Sequence, residues 1–79
     1  MSPTILREAG LRFYFFSREE PRPHVHVQSA EGEAKFWLEP EVALAHNFGL
    51  GERRLRDAST VIQEHYDEFR TAWRDHFGG

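Results

Sequence analysis

The chain of 79 residues contains no cysteine. That excludes a disulfide staple, a thiolate nucleophile and a sulfur-liganded zinc site, and it leans towards a reducing compartment. Long apolar runs are also missing. No stretch approaches the length of a membrane span and no signal peptide is visible, so a cytoplasmic protein is expected. Positive charge is in short supply: ten Lys and Arg face thirteen Asp and Glu, for a net charge of −3. A broad nucleic-acid surface is therefore disfavoured, while a local basic patch stays open. Repeats, linkers and low-complexity tracts are absent, and from Glu52 to Phe77 there is neither glycine nor proline.

Aromatic residues are what the chain has in plenty, at 14%. Seven phenylalanines and two tryptophans can supply the core of one domain spanning residues 1–79. A core of this size is marginal, and such domains gain stability from oligomers or partners.

The organising stretch is Pro23-His24-Val25-His26-Val27, followed by Glu33-Ala34-Lys35-Phe36-Trp37-Leu38. Both alternate with the period of two that marks a β-strand. Val25 and Val27 face one side. His24 and His26 face the other, about 7 Å apart along the strand. Ala34, Phe36 and Leu38 face away from Glu33, Lys35 and Trp37. Ser29-Ala30-Glu31-Gly32 reads as the turn between them. One register gathers the apolar residues, with Val27 opposite Ala34 and Val25 opposite Phe36. A one-residue slip would bury the histidines. The hairpin thus has an apolar side and a side carrying His24, His26, Glu33, Lys35 and Trp37.

Pro3 to Arg7 reads as an edge strand and Glu8-Ala9-Gly10 as its turn. Leu11 to Ser17 is apolar on both faces, as in a strand covered on both sides. Arg18 to Pro23 is a polar loop held extended by its prolines. Val42 to Phe48 alternates like a strand, although its alanines would suit a helical turn; strand is the preferred reading. Gly49-Leu50-Gly51 is a break. Leu55, Ala58, Ile62, Tyr66, Phe69, Trp73 and Phe77 then recur at helical spacing. A straight helix over 52–77 would run roughly 35–40 Å, so it either bends near Glu64-His65 or projects onto a partner.

Three chemistries fit the hairpin's polar side. Two histidines at i and i+2 on a strand can ligate one divalent transition metal such as Zn, with Glu33, His46 or Glu39 as a third ligand; otherwise no cofactor is expected. His24 and His26 can serve as acid and base, with Lys35, in a metal-free ribonuclease site. Arg7, Arg12, Arg18 and Arg22 with Lys35 can form a basic strip interleaved with Tyr14, Phe16 and Trp37, suited to stacking on RNA bases. Against these stands the plain reading: half-exposed polar residues stacked on Trp37, and surface arginines paired with neighbouring glutamates. Trp73 and Phe77 are most simply core; if the helix outruns its sheet, they form an exposed protein-binding patch.

His24-Val25-His26-Val27-Gln28 resembles, over five residues, the motif of the histidine-triad superfamily, but that fold needs a longer sheet and an upstream nucleotide-binding helix. A wider resemblance runs through Pro3–Arg7, Phe13–Ser17, Pro23–Val27, Ala34–Leu38, Gly49-Leu50 and Ala72-Trp73. These blocks look like the small bacterial family called domain of unknown function 4160. The resemblance implies a partner, since members are often encoded beside a small protein of domain of unknown function 2442, in an arrangement of toxin–antitoxin type. It supports His24, His26, Lys35 and Trp37 as the signature face and assigns them no reaction. Gly51 departs from the Ser- or Thr-like helix cap more usual in relatives, and glycine caps less firmly.

The expected architecture is α+β: four or five mainly antiparallel strands (1–48) with a long C-terminal helix (52–77) packed on one face. The expected function is protein–protein binding within a two-gene module. The alternatives are a metal-independent ribonuclease using His24 and His26, and a metal-binding protein.

Overall fold

A computed structural model describes residues 4–15 and 21–77. Five antiparallel strands form one sheet in the order of the chain: β1 (Thr4–Glu8), β2 (Leu11–Tyr14), β3 (His24–Gln28), β4 (Glu33–Trp37) and β5 (Ala43–Phe48). Two helices follow, α1 (Glu52–Glu64) and α2 (Tyr66–Phe77). The chain is therefore an α+β domain. Pro3, Phe16, Ser17 and the start of the expected 18–23 loop lie outside the described residues.

The β3–β4 register is the one that gathers the apolar residues: Val25 pairs with Phe36 and Val27 with Ala34. Ser29 N–H donates to the Gly32 carbonyl (2.9 Å) and closes the turn. Gly32 is required there. A Cβ at that position would collide with the carbonyl oxygen of Phe48 and come within 2.9 Å of Gly49 backbone atoms, so only glycine lets the turn lie against the end of β5. The β1–β2 turn uses Ala9 and Gly10, both at positive φ (56° and 76°), a conformation suited to a two-residue hairpin. Val42 to Phe48 resolves as strand from Ala43, with a bulge: Lys35 pairs with His46 but Phe36 with Leu44, so Ala45 is skipped.

One face of the sheet carries the core. Leu11, Phe13, Phe15, Val25, Val27, Ala34, Phe36 and Leu38 pack with Ala58, Val61, Ile62, Phe69 and Trp73 of the helices. The expected single helix bends at His65, whose backbone is not helical (φ −113°, ψ 26°). The bend suits the size of the molecule, which extends only 33 Å along its longest axis. Tyr66 secures the second helix by donating its hydroxyl to the Leu38 carbonyl (2.6 Å), and Arg70 pairs with Glu39 (3.0 Å). Arg54 ties the start of α1 to both hairpin turns: it donates to the Ala9 carbonyl (2.9 Å) and approaches Glu31 (3.5 Å). Gly51 stands before α1 with no side-chain cap.

Candidate functional site

No described helix lies on the second face of the sheet. Pairing carries one row across it: Tyr14 beside His26, His26 beside Lys35, Lys35 beside His46. Alternation along each strand adds Arg12, Gln28, Glu33 and Trp37 to the same side.

Rings and cations meet on this face. Tyr14 and His26 stack, with centroids 5.4 Å apart and planes 25° apart. The Arg12 guanidinium lies over the Tyr14 ring at 4.4 Å. Arg22 and Lys35 both sit over Trp37, at 4.1 and 4.6 Å. Such contacts hold a cation against a ring without neutralising it. Of the basic and aromatic residues expected to interleave, Arg12, Tyr14, Arg22, Lys35 and Trp37 are brought to this side and Arg7 pairs with Arg12, while Phe16 and Arg18 lie outside the described residues. Tyr14 is buried, at 4% exposure, while His26, Lys35 and Trp37 are half-buried.

His24 departs from the expectation of an open-face histidine. It is wholly buried. Its ring lies 4.9 Å from Trp73, 5.7 Å from Trp37 and 5.2 Å from His26. Its Nδ1 donates to the Arg22 carbonyl at 2.7 Å, because a carbonyl can only accept. The cause is its place at the start of β3, within reach of Trp73 on α2. The two histidines share a side of the strand, yet one is sealed and the other is not.

Trp73 and Phe77 take the simpler of the two expected readings, as core and not as an exposed patch. Trp73 is buried at 8% exposure, against Phe15 (5.4 Å), His24 and Phe77 (4.1 Å), and Phe77 is half-buried. Bending at His65 keeps α2 on the sheet instead of projecting beyond it.

The third-ligand candidates do not converge on the histidine pair. Glu33 pairs with Gln28, four residues along β3 from His24 and so roughly 13 Å away. Glu39 is engaged by Arg70, and its carbonyl accepts from Arg22 Nε (2.9 Å). His46 lies two strands from His26, roughly 10 Å across the sheet. Among the described residues, the three candidate ligand side chains whose donor atoms lie within 4.8 Å of one another are Glu8, Glu64 and His65, at the junction of hairpin and helices. There the Glu68 carboxylate meets His65 Nδ1 (2.8 Å) and holds the imidazole pKa above its ordinary value; Glu8 at 3.3 Å from Nε2 adds to the effect. Glu31 is shifted the other way: the Ser29 hydroxyl donates to it (2.8 Å) and holds its carboxyl below the usual range.

Two residues escaped the sequence reading. Leu44 and Phe48 on β5 are large apolar side chains left exposed, at 46% and 65%. Their signal was present in the sequence, as a strand without Asp, Glu, Lys or Arg.

A family model described as Domain of unknown function (DUF4160) matches residues 10–74. No curated protein and no solved structure matches the chain. No described helix is long and apolar enough to cross a membrane.

Proposed function

The chain belongs to the family of domain of unknown function 4160, and from that premise we propose that it is a binding component of a two-gene module of toxin–antitoxin type, acting through protein–protein contact on the helix-free face of its sheet. The observation that carries the reading is the row Tyr14–His26–Lys35, flanked by Arg12 and Trp37 and backed by cations held over rings. Tyr, Trp and Arg are the residues that dominate protein interfaces, because each adds a large, rigid contact with a polar end. The partner is a small protein encoded nearby, of the domain of unknown function 2442 type. Co-expression with the product of the adjacent gene tests this. A tagged chain retains that product, and the double variant Lys35→Ala, Trp37→Ala loses it at least tenfold while keeping its fold. Failure of the wild type to retain it removes the reading.

A second reading, RNA binding, is favoured by the half-buried His26 ring, held flat on the buried Tyr14 beside Arg12, since a ring beside arginine also suits unpaired bases. Cleavage by a histidine pair is harder to reach, because the burial of His24 leaves only His26 and Lys35 partly exposed. Expression of the chain alone separates the two. Growth arrest relieved by His26→Ala supports ribonuclease action; unimpaired growth supports binding alone.

A further inference from the structure

The two edges of the sheet differ. β1 carries Arg7 and Glu8, and its pairing with β2 is irregular between Thr4 and Leu6. Charged side chains of this kind keep edges from pairing with other chains. β5 has no Asp, Glu, Lys, Arg or proline; its six residues are Ala43, Leu44, Ala45, His46, Asn47 and Phe48. Among the described residues no strand pairs with its outer side, and Leu44 and Phe48 stand exposed on it.

The bulge gives this edge an unusual symmetry. Ala43 pairs with Trp37 and Phe48 with Glu33, and both partners face the helix-free side. Leu44 pairs with Phe36 and Asn47 with Ala34, and both of those face the core. In a strand without the skipped Ala45, Ala43 and Phe48 would point to opposite faces. With it, a two-fold axis between Ala45 and His46 sets Ala43 opposite Phe48 of a second chain and Leu44 opposite Asn47. Each pair then shares a face, as antiparallel pairing requires.

We infer that a second copy of this chain pairs antiparallel with β5 through its own β5, joining two five-stranded sheets into one of ten strands. The strand supplies its own complement. A large side chain, Phe48, lies opposite a small one, Ala43, twice over, and the row beyond leads to Trp37. The lack of Asp, Glu, Lys and Arg in β5 lets two chains of net charge −3 meet without like charges at the contact. Asn47 needs nothing from the partner, since its amide donates to the Leu50 carbonyl (2.9 Å) and accepts from Leu50 N–H (3.0 Å) within its own chain. Pairing along one six-residue strand sits at the small end of interface sizes, below about 1,200 Å², so association depends on concentration. The two helix-free faces become one continuous surface, and the Tyr14–His26–Lys35 row stays clear of the junction.

Sedimentation equilibrium on the full chain, from low micromolar to millimolar, tests the inference. The wild-type mass rises from 9.3 kDa towards twice that value. Phe48→Glu stays monomeric with an unchanged circular-dichroism spectrum, and Arg7→Glu on the opposite edge associates as the wild type does. Should Phe48→Glu unfold, Leu44→Lys reads the same contact. The native chain has no cysteine, so the register is tested by oxidation: Ala43→Cys with Phe48→Cys cross-links two chains, and Leu44→Cys with Phe48→Cys does not. A wild type that remains monomeric throughout, or charged variants that associate undiminished, overturns the inference. So does a monomeric wild type in which Phe48→Glu abolishes retention of the adjacent gene product, since β5 would then serve a foreign strand while protein binding itself survives.

Discussion

The two faces of the sheet are made from the same alternating strands and do opposite things. The helix side gathers eight buried side chains from β2, β3, β4 and the residues just beyond them, and all are apolar. The other side holds aromatic rings under cations, Tyr14 buried and Trp37 half-buried, with no described helix above them. One residue crosses the division. His24 has the parity of the open face and the burial of the core, because Trp73 reaches it from α2. Parity assigns a direction along a strand; burial is decided by what arrives from elsewhere in the chain.

The sharpest way to separate the faces is truncation. Phe69→Ala, which removes the ring packed at 5.6 Å from Phe13, costs about 3–5 kcal/mol in urea unfolding. Lys35→Ala on the other side costs less than about 1 kcal/mol. Equal losses would erase the distinction. The histidines give the next largest contrast. His24→Ala loses a buried hydrogen bond and a ring contact with Trp73 and is expected to cost about 2–3 kcal/mol. His26→Ala costs less than about 1 kcal/mol and instead weakens partner binding. A reversed order would place the working surface at His24.

Smaller effects probe the seams that hold the faces together. Ala9 sits at φ 56°, a left-handed conformation that strains a residue with a Cβ. Ala9→Asn should raise stability by about 0.5–1 kcal/mol, read as a higher urea midpoint. The junction of β1 with the helices depends on pH through His65. Its pKa is raised in the folded chain by Glu68 first and Glu8 second. The folded state therefore binds that proton more tightly than the unfolded chain does. The stabilisation is complete below the unfolded value and is lost as pH rises through the folded one. His65→Gln should flatten this dependence in unfolding curves recorded across that window. A decline that persists unchanged in the variant assigns it to another group.

Much of the architecture was legible because alternation leaves few choices. Burying Val25, Val27, Ala34 and Phe36 together allows one β3–β4 register, and that is the register found. The same register places Glu33 at the turn end, opposite Gln28 and far from His24. The bend at His65 was visible only as a mismatch between helix length and domain size. β5 was ambiguous because its alanines suit helix while its alternation suits strand. The skipped Ala45 left no local signal, and neither did the closure of Trp73 over His24, which depends on how α2 docks.

The direct measurement is a map of amide and ring shifts by nuclear magnetic resonance as the adjacent gene product is added to the labelled chain. Shifts concentrated on Arg12, Tyr14, His26, Lys35 and Trp37, with the outer faces of α1 and α2 quiet, are the predicted result. Shifts confined to those helix faces, with the Tyr14–His26–Lys35 row unmoved in a formed complex, would contradict it.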